Sequence, residues 1–175
     1  MQKVKLTDYF EIVASIQDDK INFDVAEIND IDALPFISRT ANNNGITDYC
    51  SPRSGKVNEG GVLSLALDGS TGATFFQYHP FLSGQNIWLL VPKAERIETL
   101  SPRVALYMVA TIRKAVAAYS YNLSLTKTRL KNININLPID DQGHLDLMWI
   151  EKEMSKVRHI ELIEEVPDER YQILT

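Results

Sequence analysis

Apolar residues recur with the two-residue period of β-strands through the first half of the chain. The pattern predicts strands over residues 21–28, 34–38, 62–67, 73–78 and 87–91. The last of these runs is wholly apolar, so we expect that strand to be buried on both faces. The glycine-rich segment between the third and fourth predicted strands favours a hairpin, because glycine accepts a positive φ at no steric cost.

Helical signals dominate the second half of the chain. The serine–proline pair at 101–102 puts a capping hydroxyl before a proline in the first helical position, and the apolar residues that follow predict a central packing helix. Residues 133–137 predict a short strand, and Asp146 can cap a last helix. We also expect Thr7 to cap a short helix near the N-terminus and residues 160–163 to form a strand.

Strands first, then one major helix, then a strand and a helix is an order typical of the α+β class. We predict a mostly antiparallel twisted sheet with one central packing helix and a short C-terminal helix. Residues 1–145 would form the main domain. Residues 146–175 would form a C-terminal helix and tail, suited to dimerisation or to docking on a partner.

The composition is that of an ordinary globular domain, with 45% hydrophobic and 23% charged residues in a chain of 175. The net charge of −5 argues mildly against a nucleic-acid partner, but the charge is unevenly spread. Residues 93–131 hold 8 of the 18 basic residues and 2 of the 23 acidic ones. Both polyanion-binding faces and solvated helix surfaces show such an asymmetry, so the charge alone leaves both interpretations open.

No run of about 18 apolar residues predicts a membrane span, and the N-terminal residues do not predict a signal peptide. The single cysteine, Cys50, is typical of a reducing cytoplasm, where we expect the protein to be. Cys50, His79 and Asp68 could be drawn as a catalytic triad, but no motif surrounds them. We therefore predict a protein without catalytic residues, metal or cofactor of its own.

The stretch PFISRTANNNGITDYC, residues 35–50, leaves an apolar run and crowds hydrogen-bonding side chains into one loop. Asn44 followed by Gly45 is a turn signal, and asparagines can be satisfied by local bonds to the backbone. Yet asparagine can also bind adenine in bidentate fashion, arginine can bind guanine, and threonine can contact either base. A turn and a base-reading loop both stay open. The candidates for base contacts are Arg39, Thr40, Asn42, Asn43, Thr47, Tyr49, Arg53 and Lys56.

Phosphate contacts would come from basic and hydroxyl side chains elsewhere in the chain. Such contacts position a protein on DNA without reading its sequence. The candidates are Ser70 and Thr71 in the predicted hairpin turn, and Lys93, Arg96, Lys127, Arg129 and Lys131 in the basic middle of the chain.

Five stretches, in this order, carry a resemblance to a known family. They are LTDYFEI (6–12), PFISRTANNNGI (35–46), GGVLSLALDGSTGATFFQYHPF (60–81), IWLLVPK (87–93) and TRLKNININLPIDDQG (128–143). Together they resemble the target recognition domain of restriction–modification DNA specificity subunits, in the Type I family and especially in its Type IIB and Type IIG variant. The resemblance covers about residues 5–155.

The resemblance implies a domain that recognises one half of a split double-stranded DNA target and has no chemistry of its own. It implies a partner adenine-N6 methyltransferase, which uses S-adenosylmethionine, and in restriction enzymes also a nuclease or translocase subunit. Complete Type I specificity subunits carry two such domains, whereas this chain has room for one. A homodimer on a symmetric site, a detached domain and a solitary regulator therefore stay open.

Two further expectations follow from the resemblance. Residues 38–40 and 43–45 belong to the shared pattern, so they are expected to shape the fold. The expected base contacts shift toward Thr47, Tyr49, Arg53, Ser54 and Lys56. The competing hypothesis is a protein-interaction regulator or decoy of a restriction–modification complex, which would bind partner subunits and no DNA.

Overall fold

The computed structural model describes residues 1–52, 57–119 and 123–163. Within these ranges the chain forms ten β-strands and four α-helices. The strands are β1 (Gln2–Lys5), β2 (Phe10–Ala14), β3 (Asp24–Val25), β4 (Leu34–Ile37), β5 (Ile46–Ser51), β6 (Val62–Ala66), β7 (Thr74–Gln77), β8 (Leu82–Ser83), β9 (Ile87–Pro92) and β10 (Asn134–Leu137). The helices are α1 (Leu6–Tyr9), α2 (Pro102–Val116), α3 (Lys127–Lys131) and α4 (Leu147–Met154).

The strands are arranged in two sheets and a ribbon. The first sheet is antiparallel, in the order β2-β9-β6-β7. The second sheet, in the order β3-β5-β4-β8, is antiparallel except for the parallel pair β4–β8. Strands β1 and β10 form a separate antiparallel ribbon. The predicted α+β class with mostly antiparallel pairing is confirmed.

Helix α2 packs across the first sheet because one of its sides is apolar. The Ser101 hydroxyl accepts a hydrogen bond from a backbone N–H of the first turn at 3.3 Å, and Pro102 takes the first helical position, as the sequence predicts. Met108 and Ile112 are fully buried and join Leu90 of β9 in the main core. This helix is the predicted central packing helix.

Strand β9 lies between β2 and β6 and is covered on both faces, as its apolar run predicts. Leu90 lies in the main core under α2, whereas Ile87 and Leu89 pack with Ile37 and Phe81 in a second cluster. Because Ile37 belongs to β4, this second cluster joins the two sheets.

The strand predicted over residues 21–28 is wrong. These residues form a 3₁₀ turn at Lys20–Asn22 followed by the two-residue strand β3. Phe23 is buried, but Ile21 and Val25 are 84% and 75% exposed, so the alternation does not mark a half-buried strand.

Other differences concern the two ends of the chain and the second sheet. Helix α1 begins at Leu6 and not after a Thr7 cap, and Ile160–Ile163 forms a 3₁₀ turn rather than a strand. Strand β5 occupies part of the segment predicted as a polar loop, because its pairing with β4 buries Cys50 completely. The strands β1, β2 and β8 and the helix α3 were not predicted.

Helix α4 begins after Asp146, whose carboxylate accepts from the Trp149 N–H at 2.9 Å, as the sequence predicts. It packs against α2, and its residue Ile150 is fully buried in the main core. The boundary proposed between residues 145 and 146 stays a prediction. Among the described residues no helix is long and apolar enough to cross a membrane.

Candidate nucleic-acid interface

The asparagine loop, residues 38–45, contains three consecutive residues in the left-handed backbone region. Asn43, Asn44 and Gly45 have φ angles of 48°, 53° and 83°, which asparagine and glycine tolerate better than other residues. The Asn43 side-chain amide also donates to the Ile46 carbonyl at 3.1 Å. The backbone geometry therefore accounts for the asparagines at 43 and 44.

Asn44 also covers the free edge of the first sheet. Its side-chain amide donates to the Phe76 carbonyl at 3.1 Å, and the Gln77 side chain donates back to the Asn44 carbonyl at 3.1 Å. The Thr74 carbonyl lies on the same edge, two residues before Phe76, and it accepts a hydrogen bond from Arg113 Nε at 3.0 Å. Free carbonyls on an edge strand invite pairing with another chain, so these contacts protect β7.

Arg39 fastens the asparagine loop to the hairpin turn between β6 and β7. Its Nη1 lies 3.0 Å from each carboxylate oxygen of Asp68, and the Asn86 side chain donates to Asp68 Oδ2 at 2.9 Å. A Cβ on Gly69 would stand 2.9 Å from the Cβ of Arg39, so this close approach needs glycine. Arg39 is thus engaged within the protein and holds the loop in place.

The other base-contact candidates are spread along the loop and β5. The Thr40 hydroxyl accepts from the Asn42 backbone N–H at 3.2 Å, while the exposed Asn42 side chain makes no hydrogen bond to the described residues. Thr47 is exposed and Tyr49 half-buried, on alternate positions of β5. Arg53, Ser54 and Lys56 lie outside the described residues.

One row of the first sheet anchors two basic side chains. Trp88, Leu65 and Thr74 are paired across β9, β6 and β7. The Lys127 ammonium lies 4.5 Å from the centroid of a Trp88 ring, and Arg113 is bonded to Thr74. Because one strand separates Trp88 from Thr74, the two anchor residues are about 10 Å apart.

Arg113 is held in a fixed orientation. Besides the bond from its Nε to Thr74, its guanidinium lies 4.6 Å from the centroid of the Phe75 ring. Among the described residues its Nη groups make no hydrogen bond, so they remain available to an anion. A guanidinium fork that is already oriented loses little conformational entropy when it binds.

A groove of about 510 Å³ lies between the hairpin turn and the end of α2, and Ser70, Thr71 and Arg113 line it. Gly72 is needed beside it, because its φ is +80° and a Cβ would stand 2.7 Å from Val116 Cγ2. The groove therefore combines two hydroxyls and an oriented guanidinium, which are groups that bind phosphate.

Helix α3 extends this charged region. The Thr126 hydroxyl accepts from the Arg129 N–H at 3.2 Å and caps the helix, while Leu130 is fully buried beneath it. Lys127, Arg129 and Lys131 are exposed. We call residues 68–72, 113–117 and 127–131 the basic end.

Two phosphate-contact candidates lie outside the basic end. Lys93 follows the opposite end of β9, where its ammonium donates to the Thr7 carbonyl at 2.8 Å. Arg96 donates to the Gly143 carbonyl at 3.0 Å in a groove lined by four carboxylates. One of these is Asp140, whose pKa is lowered by the hydrogen bond from the His144 backbone N–H, so that its negative charge persists. This setting disfavours phosphate at Arg96.

Arg113 was not predicted from the sequence as a site residue. A basic residue in the last turn of a helix is accounted for by the helix dipole, which favours cations there. Its contacts with β7 come from residues about 40 positions earlier, so no local pattern indicates them. The serine and threonine of the hairpin turn were the available signal that this part of the surface binds an anion.

The three residues considered as a triad lie apart. Asp68 follows β6 and His79 follows β7, at opposite ends of their hairpin. Cys50 is fully buried in the second sheet, and burial, with a further effect of Asp48, raises the pKa of its thiol. Within the described residues no group of three or more His, Cys, Asp or Glu side chains could hold a metal ion.

Comparison with known proteins identifies the family of the chain. Residues 1–165 match the model of the Type I restriction modification DNA specificity domain. The specificity subunit S.BcgI of a Type II restriction enzyme from Heyndrickxia coagulans is 27% identical over 134 residues, which are 77% of this chain and 37% of that protein.

Solved structures show the same fold. A chain of a type I R-M system aligns with a TM-score of 0.60 and 18% identity over 93% of this chain and 38% of that chain. The HsdS subunit from Thermoanaerobacter tengcongensis aligns with a TM-score of 0.58 and 16% identity, over 93% of this chain and 41% of that one. The Type I restriction-modification S subunit from M. genitalium aligns with a TM-score of 0.56 and 12% identity, over 99% of this chain and 41% of that chain. The chain thus spans about two fifths of the length of these relatives.

Proposed function

Because the chain belongs to the family of Type I restriction modification DNA specificity domains, we propose that it is a sequence-specific DNA recognition module. The observation that supports the proposal most strongly is the basic end. There, Trp88 and Thr74 of one row of the first sheet hold Lys127 and Arg113 beside the hydroxyls of the hairpin turn.

The basic end is suited to phosphate rather than to bases. Its side chains are cations and hydroxyls on a rigid sheet and two helices, and such groups fix the register of a protein on a duplex. Asp68, the carboxylate in the hairpin turn, is neutralised by Arg39. We assign phosphate contacts to Ser70, Thr71, Arg113, Lys127, Arg129 and Lys131.

Base contacts are assigned to side chains of the asparagine loop and of β5 that the fold leaves exposed or half-buried. The exposed amide of Asn42 and the hydroxyls of Thr47 and Tyr49 make no strong bond within the described residues. Arg53 and Lys56 stay in the proposal because arginine and lysine can bind guanine. Both residues follow β5 in the sequence. Asn43 and Arg39 serve the loop itself.

The partners belong to the same proposal. A specificity module directs an adenine-N6 methyltransferase, which carries S-adenosylmethionine, to the DNA site, and in a restriction enzyme it directs a nuclease as well. The exposed apolar side chains of α4, Met148 at 85% and Trp149 at 38% exposure, are suited to a protein contact. A symmetric target would be bound by two copies of the chain.

The test is the salt dependence of duplex binding by a double variant, Lys127→Gln with Arg129→Gln. Duplexes selected from a randomised pool would be titrated with the chain between about 50 and 200 mM salt. Loss of two phosphate contacts should lower the slope of log affinity against log salt by about 1.8 and weaken all duplexes alike. The charge-matched control, Lys152→Gln with Lys156→Gln on and after α4, should keep the wild-type slope.

Two further measurements make this test decisive. Lys127→Arg keeps the charge, so its salt slope should be steeper than that of Lys127→Gln by about 0.9, the contribution of one phosphate contact. A wild-type chain that binds a methyltransferase subunit but shifts no duplex at any salt concentration would contradict DNA recognition and would favour the regulator or decoy.

A further inference from the structure

The ribbon of β1 and β10 presents a face made only of lysine and asparagine. Lys3 is paired with Asn136 and Lys5 with Asn134 across the two antiparallel strands. All four side chains are exposed, whereas Ile135 of the intervening position is buried in the main core. Since side chains of a strand alternate between its faces, the four polar groups share the outer face.

This face is costly for a strand that has only a structural role. Asparagine is depleted in strands, where β-branched residues pack better, yet β10 carries two asparagines at alternate positions. Among the described residues the Asn134 and Asn136 side chains make no hydrogen bond, and neither Lys3 nor Lys5 forms an ion pair. The amides and ammonium groups are therefore available to a ligand.

The chemistry of the face favours DNA over protein. Lysine is depleted in protein–protein interfaces, whose centres are apolar and aromatic, and this face carries no apolar side chain between its lysines. Lys131 of the basic end lies three residues before Asn134 in the sequence and is also exposed. One carboxylate, Asp8, lies at its border and accepts from the Lys5 backbone N–H at 3.2 Å.

The dimensions of the β1–β10 ribbon also suit the major groove of DNA. The major groove of B-DNA admits a two-stranded β-ribbon. Four residues in each strand span about 13 Å, since each adds about 3.4 Å. That is roughly the rise of four base pairs. Asparagine amides on such a ribbon can pair with the N6 and N7 positions of adenine, while lysines flank them.

We propose that the outer face of the β1–β10 ribbon enters the major groove, with Asn134 and Asn136 contacting base edges and Lys3 and Lys5 contacting phosphates. The proposal rests on the DNA-binding function proposed above and adds a second contact surface to it. None of its four residues is required for the contacts that we assign to the basic end.

The experiment compares two double variants of the full chain with the wild type, using a pool of randomised duplexes as the probe. Asn134→Thr with Asn136→Thr should keep or raise the melting temperature, because threonine favours strands. It should lose about 5- to 150-fold of the discrimination for adenine at one or two positions of the selected sequence. Lys3→Gln with Lys5→Gln should keep the selected sequence and lower the salt slope by about 1.8.

The controls separate this proposal from the proposed function. The Lys152→Gln, Lys156→Gln variant should match the wild type in both selected sequence and salt slope. A wild type that selects a sequence, with ribbon variants that select the same sequence at the same slope, overturns the ribbon contact alone. A wild type that shifts no duplex overturns both proposals.

Discussion

Asn44→Ala tests whether the asparagine loop is built for its own conformation. Asn44 has φ 53° and ψ 24°, and its amide donates to Phe76 across the edge of the first sheet. Alanine would keep neither advantage. The lost hydrogen bond contributes about 1 kcal/mol, and a left-handed backbone costs alanine about another 1 kcal/mol. We expect a loss of about 2 kcal/mol, which is roughly 1 M in the urea midpoint for a domain of this size.

Two matched variants divide that loss into its parts. Asn44→Gly keeps the left-handed backbone and removes the hydrogen bond, so it should lose about 1 kcal/mol. Asn42→Ala removes an exposed amide that makes no hydrogen bond to the described part of the chain, and it should stay within about 0.5 kcal/mol of the wild type. Equal midpoints for Asn44→Ala and the wild type would refute the reasoning. A changed DNA sequence preference in Asn44→Gly would indicate that the Asn44 side chain also contacts bases.

Two other predictions concern the hairpin turn and the buried thiol. Gly72→Ala should destabilise the protein by about 2 kcal/mol or more and weaken DNA binding, since it adds a clash with Val116 to the cost of φ +80°. Gly61→Ala, at φ +74° with nothing within 4 Å, is the matched control and should show the backbone cost alone in urea unfolding. Cys50 should resist thiol reagents until the protein unfolds, because burial raises its pKa. Since the folded pKa lies above the unfolded one, the stability advantage of the wild type over Cys50→Ala should fall as the pH rises above about 8.5, whereas a constant difference would contradict the raised pKa.

The sequence predicts best those elements whose signals are local. The serine and proline before α2, the aspartate before α4 and the glycines of the β6–β7 hairpin each act within a few residues, and each is found as predicted. The apolar run of β9 was also sufficient to predict a strand buried on both faces, because side chains on each face pack in a core cluster.

The elements that were missed depend on partners far away in the chain. Strand β1 consists largely of exposed polar residues and exists because it pairs with β10, more than 125 residues later. Strand β5 has one fully buried residue, Cys50, and is defined by its pairing with β4. Residues 21–28 show the converse, since their alternating pattern produces only the two-residue strand β3 and leaves Ile21 and Val25 exposed.

The candidate site was predicted in its chemistry more than in its placement. The structure brings Ser70 and Thr71 next to Arg113, and Lys127 onto the same row of the sheet. It leaves Lys93 and Arg96 at the other end of β9, where backbone carbonyls hold them. Lys93 and Arg96 are thus separated from Lys127, because the two groups lie at opposite ends of β9.

The most direct test of the central claim is a lysine footprint of the full chain with and without a selected duplex. Acetylation of Lys114, Lys127 and Lys131, at the basic end, would be compared by mass spectrometry with acetylation of Lys152 on α4. We expect the duplex to protect Lys127 and Lys131 several-fold and to leave the acetylation of Lys152 unchanged, and we expect high salt to abolish the protection. Unchanged acetylation of Lys127 and Lys131 under conditions in which the duplex is bound would contradict it.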